Sequence, residues 1–428
     1  MLCSSFFSRI VNNSKADTAK SASFILYIGC LLTLFTASIV PDNALKFFIF
    51  CAVIALIVLF QSRDFLITNK KAFLLPCALL AFGLMQVIWV AIFKEHGSIF
   101  TATYRSYQNG GKVLIFSAFI IAALHCPASQ ALRKAPFVNN AIIVIGFCLY
   151  SYAGWQLYSI GGMKFTTYRV TLGLENATGT AYALTLVALL VSQSILNMQF
   201  RYNVFFYFVH FIISLAAIIS TQTRAAIIVY PVLCIALFFL HFRHNKKIVI
   251  GSCLSFILLI FVASIPFKPI LDKRYAEFKN DLHEYDKNKS NTSVGARLAM
   301  QQAGLGAGKQ HLWGQSLESR DNELLMQAKA NPLLKSALTF KRVHLHNELI
   351  DTFSLKGLPG ILLLMALYIA MFSNALTHRS ILILLLSGAI FSFGLSDLLF
   401  YAKSEALNSM ITLCAAFMIL PKTLREEK

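Results

Sequence analysis

Charge is scarce in this chain. Only 13% of its 428 residues are Asp, Glu, Lys or Arg, where a soluble domain carries about a quarter, and a water-soluble globular fold is excluded on that ground. Acidic residues are the rarer kind, 19 against 38 basic ones. Alternation of apolar and polar residues is missing from the long apolar runs, which excludes the strands of a transmembrane barrel. Paired cysteines are missing too. Cys3, Cys30, Cys51, Cys77, Cys126, Cys148, Cys234, Cys253 and Cys414 stand singly, none in a C-x-x-C spacing and none in the polar stretch after residue 266. A disulfide framework and a thiolate zinc site are thereby set aside. There is no internal repeat, no low-complexity tract and no nucleic-acid motif. The net charge of +19 is therefore assigned to loop lysines and arginines that orient membrane spans, and nucleic acid is not expected as a partner. No small-residue cleavage site follows the first apolar run, so that run is read as an uncleaved span.

What the chain has in abundance is apolar sequence: 57% hydrophobic residues and a mean hydropathy of +0.65. Runs of about 18 or more apolar residues are candidate spanning helices, because a lipid-exposed backbone must satisfy its own hydrogen bonds. The expected fold is an all-α polytopic membrane protein with about twelve transmembrane helices, near 21–40, 44–61, 72–93, 112–126, 137–160, 177–198, 204–221, 225–241, 247–266, 349–373, 380–399 and 404–420. Three regions follow: 1–266 with the first nine spans, a polar loop at 267–345, and 346–428 with the last three. Basic residues in the short connections set the orientation. Arg9, Lys15, Lys20, Arg63, Lys70, Lys71, Arg133, Lys134, Arg201, Arg243, Lys246, Lys247 and Arg379, with Lys422, Arg425 and Lys428 in the tail, fall on one side, read as cytoplasmic. The long loop then lies outside. Its pieces RLAMQQAGL and NELLMQAKA suit helices separated by Gly and Asn-Pro breaks, so a small helical cap is expected on the outer face.

Several polar residues collect on that outer side although they are far apart in sequence. Arg169 lies in TTYRVTLGLENATGTAYA, Arg224 in the tight turn STQTRAAII, Arg297 in SVGARLAM, and His344 and His346 in VHLHNELIDTFSLKGLPG. Singly, Arg224 reads equally well as a guanidinium snorkelling to the interface, and Arg169 and Arg297 as solvated loop residues. Together they present several fixed forks of donors suited to phosphate oxygens, at a membrane surface where a lipid-linked phosphate or pyrophosphate would lie.

A lone histidine beside a helix start is commonly a capping or interface residue. Here Asn347, Glu348 and Asp351 follow within two turns, and histidine titrates near neutrality and can accept a proton from an attacking hydroxyl. If the segment is helical, positions two apart do not share a face, so His344 and His346 are not expected to point into one site.

Other features carry less. GLGAGK at 304–309 lacks the spacing and the Ser or Thr of a phosphate loop and is read as a flexible Gly-rich turn. Asp397, in GLSDLLF, is an acidic residue near the outer end of a span, a functional candidate that an Arg could pair with. His210 is read as a packed residue. The outer side has no Asp-x-Asp for a hard cation. Glu284-Tyr285-Asp286 comes nearest, but Lys287 and Lys289 follow it and mark a solvated loop.

In their order and on this topology, RVTLGLENATGTA, TQTRAAIIVYP, SVGARLAM and VHLHNELIDTFSLKG, with RYAEFKNDLHEY in the long loop, resemble the O-antigen ligases. The likeness runs over nearly the whole chain. The wider superfamily, which includes O-antigen polymerases and protein O-oligosaccharyltransferases, shares an Arg after an apolar helix, a long external loop, and His-Asn followed by Gly. Here these are Arg224, the 267–345 loop, and His346-Asn347 with Gly357. Glu175, Asn176 and Ala177 depart from an Asn-Pro-Asn type of sequence found in much of the superfamily.

The resemblance implies a GT-C-like fold in the bacterial inner membrane with its site facing the periplasm. It implies an inverting, metal-independent glycosyl transfer from undecaprenyl pyrophosphate-linked O-antigen to a sugar hydroxyl of lipid A-core, with no cofactor. His346 would be the general base. Arg224 and Arg297 would hold the pyrophosphate, and Arg169, His344 and Asn347 would contact substrate. Membrane lipids are the remaining partner. The polymerase and the protein oligosaccharyltransferase share this chemistry and stay open as alternatives. A lipid-linked glycan flippase would instead place charges at the bilayer midplane and show related halves, and neither is visible.

Overall fold

The computed structural model describes residues 2–162, 167–287, 289–340 and 344–420; the tail residues Lys422, Arg425 and Lys428 lie outside them. Among the described residues there is no strand. The helices run α1 (Leu2–Thr36), α2 (Pro41–Gln61), the short α3 (Arg63–Thr68), α4 (Leu74–Phe93), α5 (Thr101–Leu124), the short α6 (Pro127–Gln130), α7 (Pro136–Gln156), α8 (Ala177–Asn197), α9 (Asn203–Ser220), α10 (Arg224–His241) and α11 (Lys246–Ser264). Then come α12 (Lys268–Asp286), α13 (Ser293–Gln310) and α14 (Leu317–Ala330), followed by α15 (Glu348–Thr377), α16 (Ile381–Gly394) and α17 (Lys403–Met418). Ten of them are long and apolar enough to cross a membrane. The helices α16 and α17, with 14 and 16 residues, stand where the last two spans were expected. The chain is an all-α polytopic membrane protein.

The fourth span is the largest departure from expectation. Its helix α5 starts at Thr101, well before residue 112, because one face of the polar stretch TATYRSYQNGG is buried. Tyr104, Tyr107, Gly110 and Gly111 are all enclosed, and α5 packs closely along α4 and α17. The helix α8 is almost wholly enclosed at the centre of the bundle, whereas α11 is the least covered span. His210 is packed as expected, with Tyr150 Oη 3.1 Å from its Nε2 and Ser192 Oγ 3.3 Å from its Nδ1. The eight cysteines from Cys30 to Cys414 are all free thiols.

The helices α12, α13 and α14 form a cap over one end of the bundle, with a small core of their own around Met300, Ala303, Leu324 and Leu345. The segment read as a Gly-rich turn is instead the second half of α13. Its glycines let neighbours approach: Gly304 faces Leu345 and Ile350, and Gly308 faces the Phe353 ring, at distances that leave no room for a Cβ. The last charged residues of α12 behave as a solvated group, with Glu284 paired to Lys287 at 3.8 Å and to Lys289 at 3.2 Å.

Cap and bundle meet at a break in α15. Gly357 has φ 59° and ψ −152°, a conformation open almost only to glycine, and a Cβ there would collide with the Leu312 carbonyl. The loop after α13 inserts at this point: Leu358 N–H donates to Leu312 C=O at 2.8 Å and Gln315 N–H to Leu355 C=O at 2.8 Å. Trp89 on α4 seals the joint, its Nε1–H reaching the Gln315 and Leu355 carbonyls at 3.0 and 3.1 Å.

Candidate functional site

Beneath the cap, a cleft of about 370 Å³ is lined by Arg169, Arg224, Arg274 and Arg297 together with Tyr182, Gln222, Glu277 and Asp281. Each part of the fold supplies something. Arg169 comes from the segment before α8; its Nε–H donates to Thr221 C=O at 2.9 Å and its Nη2–H to Thr223 Oγ1 at 3.1 Å. Arg224 is the first residue of α10, after a turn in which Gln222 takes a left-handed φ of 56°. Arg297 lies one turn into α13. The three arginines that the sequence pointed to thus share one cavity.

The fourth arginine and the acids that accompany it lie in RYAEFKNDLHEY, a stretch that carried the family likeness but to which no site role was given. On α12, Glu277 and Asp281 are one turn apart and face the cleft. Arg224 donates to Asp281 Oδ2 at 3.0 Å and to Glu277 Oε2 at 3.3 Å. Arg274 donates to the same Glu277 oxygen at 2.7 Å and to Gln222 Oε1 at 2.9 Å. Burial works against the charge of Glu277, but the two guanidinium groups outweigh it and hold its pKa below the usual carboxylate value. The Arg169 pKa is lowered by burial first, then by the like charges of Arg274 and Arg297. Four guanidinium groups stand against two carboxylates here, which leaves a positive cavity suited to an anion.

Next to this cleft is a corner built from the start of α15 and the loop after α16. His346 Nδ1 is 3.1 Å from Asp397 Oδ1, and His344 Nε2 is 3.5 Å from the same oxygen. Both imidazoles face one carboxylate, contrary to the helical expectation. The helix begins only at Glu348, and His346 adopts φ 49°, a turn that folds one ring against the other at 4.4 Å between centroids. Asp397 has these two histidines as partners rather than an arginine. His344 accepts the His346 N–H on Nδ1 at 3.3 Å, and burial pushes its pKa down to about 4. Burial also opposes ionisation of Asp397, but the His346 hydrogen bond, the nearby imidazoles and the Leu398 N–H hold its pKa below the usual range.

The residues around the corner fix its shape. Asn347, expected as a substrate contact, caps α15: its Oδ1 accepts from Leu349 and Ile350 N–H at 3.1 Å each, and its Nδ2–H donates to Leu395 C=O at 3.1 Å. Glu348 is buried and accepts from Phe400 N–H at 2.9 Å and Tyr368 Oη–H at 3.1 Å. These two neighbours grip the 395–400 loop on both sides of Asp397. Deeper in, Arg320 of α14 pairs with Asp351 at 2.9 Å, both fully enclosed. Asp351 also accepts the Leu345 N–H at 3.1 Å and the Tyr107 hydroxyl, and the buried Lys356 ammonium lies 4.3 Å from the Tyr107 ring centroid. Tyr182 joins the two halves of the site, since it lines the arginine cleft and its hydroxyl is 2.9 Å from Ser396 Oγ, next to Asp397.

For metals, His344, His346 and Asp397 are the one group of three ligating side chains found among the described residues, their donor atoms within 4.8 Å of one another. It is a nitrogen-rich set, unlike the oxygen set that magnesium or calcium takes.

Comparison with known proteins finds a relative along most of the chain. The O-antigen ligase family model matches residues 209–365, a stretch that holds Arg224, the cap, Arg297 and His346. An O-antigen ligase of Escherichia coli (strain K12) is 31% identical over 398 residues, 92% of this chain and 93% of that one. The chain belongs to the O-antigen ligase family. An uncharacterized protein of Haemophilus influenzae (strain ATCC 51907 / DSM 11121 / KW20 / Rd) is 24% identical over 265 residues, 61% of this chain and 63% of its own length. Arg169 and Asp397 lie outside the stretch that the family model matches, yet they complete the two halves of the site.

Proposed function

We propose that the protein transfers O-antigen polysaccharide from undecaprenyl pyrophosphate to a sugar hydroxyl of lipid A-core, at the periplasmic face of the bacterial inner membrane. The observation that carries this reading is the adjacency of the His346–Asp397 pair, 3.1 Å apart, to a four-arginine cleft under the cap. A glycosyl transfer from a lipid pyrophosphate needs both, and the relative in Escherichia coli bears the name O-antigen ligase.

In this reading the acceptor hydroxyl attacks the anomeric carbon from the face opposite the pyrophosphate, inverting it. The new C–O bond forms as the bond to the pyrophosphate oxygen breaks. His346 takes the hydroxyl proton on Nε2, since Nδ1 faces Asp397, and Asp397 orients the ring and stabilises the imidazolium that results. Undecaprenyl pyrophosphate departs with the bonding pair, and Arg224 and Arg297, with Arg169 as a further contact, hold the charge that grows on it. His344 also meets Asp397 and restrains it. Asn347 acts through the cap that it forms. No ion is required, because fixed guanidinium groups already stand where the charge develops.

The division of labour follows the three regions 1–266, 267–345 and 346–428: the spans hold the lipid tails, the loop roofs the cleft, and the last region brings the base. The outward placing of the cap follows from the short connections at the opposite end, where Arg63, Arg133, Arg201, Arg243, Lys246, Lys247 and Arg379 lie. A cysteine at Lys309 should react with an impermeant thiol reagent in spheroplasts and one at Lys246 should not; reversed labelling would sink the orientation. The decisive test of activity is reconstitution with carrier-linked glycan and purified lipid A-core. Appearance of glycan on lipid A-core supports the reading. Extension of one carrier-linked glycan by another, with lipid A-core left bare, would make the protein a polymerase instead.

A further inference from the structure

The arginine cleft is not simply basic: its forks are already engaged by two acids of its own wall. Glu277 Oε2 bridges Arg224 at 3.3 Å and Arg274 at 2.7 Å, and Asp281 Oδ2 takes the other arm of Arg224 at 3.0 Å. One oxygen shared between two guanidinium groups, with a second anion one helical turn away, is the arrangement that neighbouring phosphate groups of a diphosphate would adopt on the same forks. The two acids stand on one face of α12, a cap helix on which Tyr275, Phe278 and Leu282 remain exposed. Glu277 itself keeps 35% of its side chain accessible, so it has room to turn away. Arg297, by contrast, makes no hydrogen bond or ion pair with any described residue.

We propose that Glu277 and Asp281 are placeholders for the donor's diphosphate, exchanged for it on binding and returned to expel the product, and that Arg274 is a fourth residue that holds it. This deepens the proposed function and rests on it. The charges favour such an exchange. A diphosphate esterified at both ends carries two negative charges, as the two carboxylates do, so the donor replaces them without changing the charge of the cleft. Once the sugar has left, the carrier pyrophosphate has one ester fewer and gains negative charge, and four guanidinium groups then grip it more tightly than they gripped the donor. An enzyme so built is slow to release product. Two tethered carboxylates that compete for the same forks supply the counterforce, because they act at the high effective concentration of an intramolecular group.

The test uses full-length protein in detergent, with inorganic pyrophosphate as the binding probe and the reconstituted transfer as the kinetic one. Glu277→Gln and Asp281→Asn keep the shape and remove the charge. Each should tighten pyrophosphate binding by on the order of twofold to fivefold, the scale of a partly exposed ion pair, and lower the donor KM. The first turnover should proceed at the wild-type rate or faster, while the steady-state rate falls and a burst appears. Arg274→Lys, which loses the fork but keeps the charge, should weaken binding and raise KM. Unchanged or weaker pyrophosphate binding in both acid variants would overturn the proposal, and so would a parallel loss of first-turnover and steady-state rates, which is what a merely structural role gives. Should the single variants misassemble, Glu277→Asp, which shortens the arm but keeps the charge, must show the same direction of effect in weaker form. Pyrophosphate binding that ignores Arg224→Ala would instead sink the underlying assignment of the cleft.

Discussion

His346 and Asp397, 51 residues apart in the chain, meet at 3.1 Å between Nδ1 and Oδ1 because a left-handed turn at His346 and a gripped loop after α16 bring them together. His346→Ala should therefore lower transfer by about 10²–10⁴-fold, the usual loss on removing a general base, with the protein level unchanged. Asp397→Asn should lower it less and shift the acid limb of the pH–rate profile. His344→Ala should cost less than His346→Ala. An essential His344 beside a dispensable His346 would reverse the two roles.

Arg224 engages two acids with two different arms, a geometry that an ammonium cannot copy. Arg224→Lys is expected to stay well below wild-type activity, and Arg297→Ala to be equally damaging. Full transfer by Arg224→Lys would mean that only a point charge is needed there.

The proposed reaction needs no metal, because the guanidinium groups would hold the charge of the leaving pyrophosphate. Transfer by purified protein should survive excess EDTA, although His344, His346 and Asp397 lie close enough to ligate an ion. Activity lost to the chelator and restored by magnesium or manganese would show that the arginines do not suffice.

Stability should hinge on the buried pair beneath the site. Arg320 and Asp351 retain 2% and 0% of their side-chain exposure, and removing one partner of such a pair costs about 3–5 kcal/mol. Asp351→Ala should lower the thermal midpoint in detergent sharply. Lys403→Ala, which breaks the surface pair with Asp42, should leave it nearly unchanged. Equal effects would mean that cap docking does not depend on the pair.

Acid should loosen the cap. Burial lowers the His344 pKa from 6.5 to about 4, so the unfolded chain binds that proton more readily than the folded one. The contribution of neutral His344 is whole above pH 6.5 and fades as pH falls toward about 4. Glu318 adds to the same trend. Burial raises its pKa, but hydrogen bonds from Ser98 and Tyr104 prevail and lower it, so its contribution is lost as pH drops below the ordinary carboxylate range. Corrected for the slower intrinsic exchange in acid, the protection factors of the α14 amides should fall on acidification from neutrality, and Glu318→Gln should remove the lower part of that trend. Protection that stays constant or rises in acid would contradict the placement of both groups.

Much of this was legible in the sequence, for physical reasons. Apolar runs mark spans because lipid leaves no alternative, and each of the twelve expected segments finds its helix. The start of α5 was hidden because TATYRSYQNGG is polar, and its helix is buried on one face against α4, the loop before α17 and the edge of the cap. Arginines at the mouths of spans stand out against an apolar background, so Arg169, Arg224 and Arg297 could be read. Glu277 and Asp281 lay in the quoted stretch RYAEFKNDLHEY without a role, and Arg320 lay in no motif, since a charged residue on a charged helix looks solvated until the fold of the cap is known. The pairing of His344 with His346 depended on where α15 begins, and helix starts are set by caps such as Asn347 rather than by hydropathy.

The break at Gly357 sets the boundary of an exchangeable part. The first half of α15 places Ile350 and Leu355 against the cap and its seam with α4, while the second half places Leu364 and Leu367 in the bundle core. A chimera that imports another relative's cap should therefore be spliced at the glycine and carry 268–356 as one unit. A splice at His344 would transplant the roof and leave behind the histidine that it was shaped around.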